Sequence, residues 1–153
     1  MSHTPIPHQS LILVCDGAKA LLFENAGDNQ ALDLVHVGIQ VEPHPPTRDL
    51  GTDRPTRVYE SGNASRSAAG EVDLHMRAED AFLARVALRL EEQVKARRSR
   101  HVIIVAPPRA LGVLRPQLGA ATREALAAEF DKDLAGRPTS EIERHLAKLA
   151  GLS

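Results

Sequence analysis

The chain is short of aromatic residues: no tryptophan, one tyrosine and three phenylalanines in 153 residues. Tyr59, Phe23, Phe82 and Phe130 are the whole set. A reader of single-stranded nucleic acid that stacks bases on aromatic platforms needs more of them, so that mode is excluded. Cysteine is scarcer still. Cys15 stands alone, which rules out an internal disulfide, and its place in an apolar run predicts a small buried hydrophobe rather than a reactive thiol. An excess of one charge is also missing: 19 basic and 20 acidic residues leave a net charge of −1, which argues against coating nucleic acid by bulk electrostatics. No apolar run approaches the roughly 20 residues needed to span a bilayer. Met1–Gln9 is polar and has no basic-then-apolar signal pattern. The expectation is a cytoplasmic protein with no membrane partner.

Short chemical motifs are missing as well. There is no phosphate loop, no dinucleotide fingerprint and no G-x-S-x-G elbow. No two of the seven histidines (3, 8, 36, 44, 75, 101 and 145) are spaced as a helical ligand pair. No metal and no cofactor are therefore expected. Asp16, Asp53 and Asp133 would have to converge at one end of a sheet to serve a two-metal nuclease. Asp16, however, is expected in a tight turn for conformational reasons alone.

What the chain does carry is architecture. Its length suits one domain with a real core, and 42% hydrophobic with 25% charged residues is ordinary for a globular protein. The most informative stretch is His101–Arg115, H-V-I-I-V-A-P-P-R-A-L-G-V-L-R. Val102–Ala106 reads as a buried strand stopped by Pro107-Pro108. Pro108 suits a first helical turn, where its missing N–H costs nothing. Leu111, Leu114 and Leu118 form the buried stripe, and Pro116 predicts a kink because its ring clashes with the Gly112 carbonyl. Upstream, Ser10–Cys15 reads as a strand buried on both faces. Asp16-Gly17 predicts a two-residue hairpin turn with positive φ, and Ala18–Glu24 the returning strand. Leu32–Val41 is a third strand with Val35, Val37, Ile39 and Val41 inward; Leu32 and Leu34 are out of phase, which predicts a bulge near Leu34–Val35.

A long helix is predicted over Leu74–Arg98, with Ala78, Phe82, Val86, Leu90 and Val94 at four-residue spacing. Residues 123–133 are ambiguous, since alanines favour helix while Leu126, Ala128 and Phe130 alternate; we read a strand. Thr139 or Ser140 caps the last helix, with Ser140 and Glu143 as a capping box and Ile142, Leu146 and Leu149 inward. The order β-β-β-loop-α-β-α-β-α predicts one α/β domain over 1–153, with a mixed sheet of five to six strands and helices on both faces. Residues 1–9 read as a flexible tail. Residues 43–73, rich in proline, glycine and serine, read as a long loop and a candidate for disorder, with Arg57–Glu60 as a short strand within it.

That loop is where function is sought. Arg48, Asp53, Arg54 and Arg57 crowd around one turn, and Arg66 follows; guanidinium forks could clamp a phosphate or carboxylate, or the Arg–Asp pairs could simply hold the loop's own shape. Lys95–Arg100 is a basic cluster that a helix C-terminus wants in any case. Arg109 and Arg115 flank the stripe of the kinked helix. Arg109, beside the free N–H groups of a first turn, is the best single candidate for ligand contact.

Four segments together, D-G-A-K-A-L-L-F-E (16–24), D-R-P-T-R-V-Y-E-S (53–61), V-A-P-P-R-A-L-G-V-L-R (105–115) and F-D-K-D-L (130–134), resemble the bacterial host attachment protein family. The resemblance spans nearly the whole chain, although Thr56 stands where that pattern generally has glycine. The family is in turn similar to the central domain of archaeo-eukaryotic peptide-chain release factors and Pelota, which implies a ribonuclease H-like mixed sheet. In release factors the loop before the long helix bears Gly-Gly-Gln. Here S-G-N-A-S-R-S-A-A-G (61–70) has no glutamine, so peptidyl-tRNA hydrolysis is not implied. The first expectation is a non-catalytic binding module at the ribosome or on structured RNA, through the loop arginines and Arg109. The alternatives are a hydrolase of nucleic acid or peptidyl-tRNA with a rewired acidic site around Asp53 and Asp133, and a protein-interaction factor affecting attachment to host cells. The sequence leaves the ligand and the oligomeric state open.

Overall fold

The computed structural model describes residues 4–41 and 64–152. Three strands open the chain: β1 (Leu11–Cys15), β2 (Lys19–Asn25) and β3 (Leu34–Val41). The long helix α1 (Ala64–Arg97), β4 (Val102–Ala106) and α2 (Pro108–Leu114) follow. After a 3-10 turn at Arg115–Gln117 come α3 (Ala120–Ala125), β5 (Leu126–Asp131) and α4 (Thr139–Leu149). The five strands form one open mixed sheet in the order β3-β2-β1-β4-β5. β1, β4 and β5 run parallel, and β2 is antiparallel to both of its neighbours.

β1 and β4 are the two uninterrupted apolar runs, and both are buried at every position. A strand with helices over both faces needs apolar side chains on both, which is why these runs do not alternate. Leu11, Leu13, Val102 and Ile104 face α1, α2 and α3. Ile12, Val14, Ile103 and Val105 face α4. Helices on both faces of an α/β sheet are thus as expected, with five strands among the described residues.

Five local expectations are corrected. The β1–β2 turn is centred on Gly17-Ala18, not Asp16-Gly17: Asp16 N–H donates to the Lys19 carbonyl at 2.9 Å, and Gly17 does not take positive φ. The Asp16 carboxylate closes the turn instead, accepting from the Ala18 and Lys19 N–H groups at 2.8 Å each. The β3 bulge falls at Val37, where the register slips between Leu22–Gly38 and Phe23–His36. It places Leu34 in the α4-side core and leaves Val35 43% exposed. The helix α1 begins at Ala64, ten residues before the expected Leu74, so 64–73 is helix rather than loop; the alanines at 64, 68 and 69 favour that state. Residues 4–9 are not a free tail: Ile6 is fully buried, and Thr4 N–H donates to the Leu149 carbonyl. In α4, Pro138 is the N-cap and no side chain caps the helix; Glu143 accepts from the Leu34 N–H at 2.9 Å, tying α4 to β3 instead of closing a capping box.

Residues 123–133 contain both predicted elements, α3 ending at Ala125 and β5 starting at Leu126. Pro116 ends α2 in the 3-10 turn, as a ring that blocks the i−4 bond should. The strand expected at 57–60 lies outside the described residues.

Candidate functional site

β1 and β4 are adjacent and parallel, and the chain leaves their carboxyl ends in opposite directions. From β1 it turns back into β2; from β4 it crosses through α2 and α3 to β5. Such a switch point is where open α/β sheets offer a crevice. Here it is bordered by the Asp16–Lys19 turn and by Pro107-Pro108-Arg109. β3 ends at the same edge, since Val41 pairs with Lys19.

Acidic side chains from α1 fill this junction. The Arg109 Nε lies 3.6 Å from Glu79 Oε1, and its Nη2 donates to Asp80 Oδ1 at 3.3 Å. Glu79 also runs beneath the turn, where a Cβ on Gly17 would lie 2.7 Å from the Glu79 Cδ; the glycine is what permits that approach. Arg109 therefore knits α2 to α1 and is not an open cation. Arg115 donates from Nε to Glu129 Oε1 at 2.8 Å and pins the 3-10 turn to β5. Both arginines are half exposed, so each pair contributes about 0–1 kcal/mol. The two sit in separate ion pairs, on α1 and on β5.

Of the other candidates, Arg48, Asp53, Arg54 and Arg57 lie outside the described residues, and Arg66 lies in the first turn of α1. Asp16 and Asp133 follow β1 and β5 in the chain, but no group of three or more His, Cys, Asp or Glu among the described residues could hold a metal ion. Cys15 is buried, and that burial, with Asp16 beside it, pushes its thiol up to about 12; it is an inert core residue.

A family model described as "protein required for attachment to host cells" matches residues 11–146, which is most of the chain. The chain belongs to the host attachment family. No curated protein matches it. The matched span begins with β1 and ends within α4, so it takes in the sheet and both of its helical layers.

Two polar residues of this family member that sequence reasoning passed over hold the scaffold around the edges. Glu91 on α1 reaches the start of α3, accepting from the Thr122 N–H at 2.9 Å, the Thr122 hydroxyl at 2.9 Å and the Ala121 N–H at 3.1 Å. Gly119, the N-cap of α3, has no side chain to cap with, and a Cβ there would collide with the Glu91 carboxylate. Glu91 is thus a cap supplied by another helix. The Thr122 N–H bond, then the Thr122 hydroxyl, the Ala121 N–H and Lys95, hold its carboxyl below the usual carboxylate range. A lowered folded pKa gives stability that is present above the unfolded value and lost as pH falls through the folded one. Glu91→Ala is expected to cost about 1–2 kcal/mol at pH 7, and this deficit should shrink as pH drops below about 4. Urea unfolding at pH 7 and pH 3 checks it; equal deficits at both would show that the charge is irrelevant. The second residue, Asn25, is fully buried and ties residues 6 and 7 to the end of β2.

The basic cluster at the end of α1 divides in two. Lys95 pairs with Glu91 at 3.8 Å and Arg97 with Glu24 at 3.3 Å, as a helix C-terminus favours. Arg98 and Arg100 are exposed and form no ion pair among the described residues.

Proposed function

We propose that the chain is a non-catalytic, cytoplasmic binding module that acts at the ribosome or on structured RNA. In this reading Arg48, Asp53, Arg54, Arg57 and Arg66 supply the contacts, while Arg109 and Arg115 brace the scaffold through their ion pairs. The observation that carries it is the reach of α1. Its core contact starts at Phe82, yet the helix starts at Ala64, and every residue from Gly70 to Arg77 is exposed. At 1.5 Å per residue the 34-residue helix is about 51 Å long. The eight residues from Gly70 to Arg77, about 12 Å of helix, therefore run without an apolar face against the sheet. Val72, Leu74 and Met76 are 57%, 60% and 45% exposed on this arm, which is apolar surface suited to a partner. The arm carries Arg66 and adjoins the segment that bears the other arginines.

The strand order β3-β2-β1-β4-β5 supports the likeness to ribonuclease H-like sheets and to the release-factor central domain, in which the segment before the long helix enters the ribosome. Without Gly-Gly-Gln we assign no hydrolysis of peptidyl-tRNA. Among the described residues no helix is long and apolar enough to cross a membrane. We accordingly read the family's description, attachment to host cells, as an indirect consequence of binding inside the cell.

Ribosome co-sedimentation in low-salt sucrose gradients tests the proposal. Wild-type protein is expected in the ribosomal fractions, and the variant with Arg48, Arg54, Arg57 and Arg66 all changed to alanine is expected to fall at least about tenfold in that fraction, as loss of several phosphate contacts implies. Wild-type protein that stays at the top of the gradient would end this reading.

A further inference from the structure

A groove of about 620 Å³ lies at the opposite edge of the sheet, where β1 and β4 begin. The segment Pro7-His8-Gln9 forms one wall and Arg97–His101 the other, with Glu24 between them. Arg97, Arg98 and Arg100 line the groove with a single carboxylate, Glu24, which Arg97 already holds at 3.3 Å. Arg98 and Arg100 are exposed and form no ion pair among the described residues.

The backbone marks the same place independently. Among the described residues only two that are not glycine adopt a left-handed φ, Gln9 at 70° and Arg98 at 53°, and both line this groove. Arg98 ends α1 in a Schellman motif, its N–H donating to the Lys95 carbonyl and that of Ser99 to the Val94 carbonyl. The helix α4 ends in the same motif, Gly151 bonding to Lys148 and Leu152 to Ala147, and there the left-handed position is a glycine with φ 85°. The chain thus uses the unstrained residue at one helix end and an arginine at the other. Strain of this kind gathers at ligand sites, where the side chain is worth more than the comfort of the backbone.

We propose that this groove binds a phosphate group, with Arg98 and Arg100 as its ligands and the backbone phosphates of RNA as the occupant. Paired guanidinium forks match the oxygens of a phosphate. No phenylalanine, tyrosine or tryptophan lines the groove, and its two imidazoles, His8 and His101, are engaged with the Gly27 and Pro5 carbonyls, so the guanidinium groups are what it offers a ligand. The identity of the occupant rests on the RNA reading above; the phosphate site does not.

The test is fluorescence anisotropy with a labelled twelve-nucleotide uridine RNA at low salt, and with inorganic phosphate as competitor. Arg98→Ala/Arg100→Ala is expected to weaken RNA binding about tenfold or more, and to make its log–log salt dependence shallower by about 0.7 for each phosphate released. Arg98→Gly separates the site from the fold, because it should weaken binding while raising Tm by about 2–4 °C through relief of the left-handed strain. Displacement by millimolar phosphate would identify a single phosphate group as the recognised unit; resistance to it, with the arginine effect intact, would identify the polynucleotide backbone. Unchanged RNA binding in the double variant overturns the proposal, as does wild-type protein that binds neither RNA nor phosphate. Binding through Arg98 and Arg100 by a protein that never co-sediments with ribosomes would sink the ribosome reading and leave the groove standing.

Discussion

Asn25→Ala is expected to destabilise the fold by about 3–5 kcal/mol, a large share of the 5–15 kcal/mol that holds a typical domain together. The side chain has no exposed surface and makes five hydrogen bonds. Its amide donates to the carbonyls of Ile6 at 2.8 Å, Asp28 at 3.1 Å and Pro7 at 3.3 Å. Its oxygen accepts from the Gly27 N–H at 3.0 Å and the Asp33 N–H at 2.9 Å. Truncation leaves these backbone groups unpaired, each at about 1–3 kcal/mol where water cannot replace the bond. Because Asn25 fixes the chain entering Pro7, His8 and Gln9, the same variant should also loosen one wall of the groove. Urea unfolding measures the loss; a change below about 1 kcal/mol would mean that these groups are already hydrated.

Phe82→Ala is expected to cost about 3–5 kcal/mol, the range for removing a buried phenylalanine and leaving a cavity. Phe82 has no exposed surface and packs with Leu83, Val86 and Leu90 in the core on the α1 side. Met76 lies six residues earlier on the same helix and is 45% exposed, so Met76→Ala should change stability by no more than about 0.5 kcal/mol. This contrast places the end of the core between the two residues. Comparable losses at both positions would mean that the arm is packed against something, and the reach on which the functional reading depends would vanish.

The sequence disclosed the centre of this molecule and hid its margins. β1 and β4 were legible because a strand covered on both faces must be apolar throughout, and five-residue runs such as L-I-L-V-C and V-I-I-V-A satisfy no other short element as well. The first ten residues of α1 were illegible for the converse reason. An exposed helical stretch such as Gly70–Asp73 has no buried period to read, and Ser61–Gly70 has the composition of a loop. The Asp16 turn was misplaced by one residue because the carboxylate, not a left-handed glycine, closes it. The β3 bulge was expected but shifted, since two consistent phases of valine and leucine can be joined at more than one point.

The candidate site was less legible than the fold. Arg109 was rightly placed in a first helical turn, but its partners Glu79 and Asp80 come from a helix about thirty residues away, and no local pattern announces them. Asn25, Ile6 and Glu91 likewise depend on contacts made only by the folded chain. The one local signal available was Arg98. K-A-R-R-S-R reads as an ordinary basic cap, yet the helix ends at Arg97, and the position after a helix end favours glycine.

Ultraviolet cross-linking of the intact protein to ribosomes, followed by mapping of the cross-linked peptides, tests the central claim most directly. The account predicts RNA-bearing peptides from residues 42–77 and, through the groove, from 97–101. Cross-links confined to the outer face of α4, or an absence of RNA cross-links to protein that is otherwise folded, would contradict it.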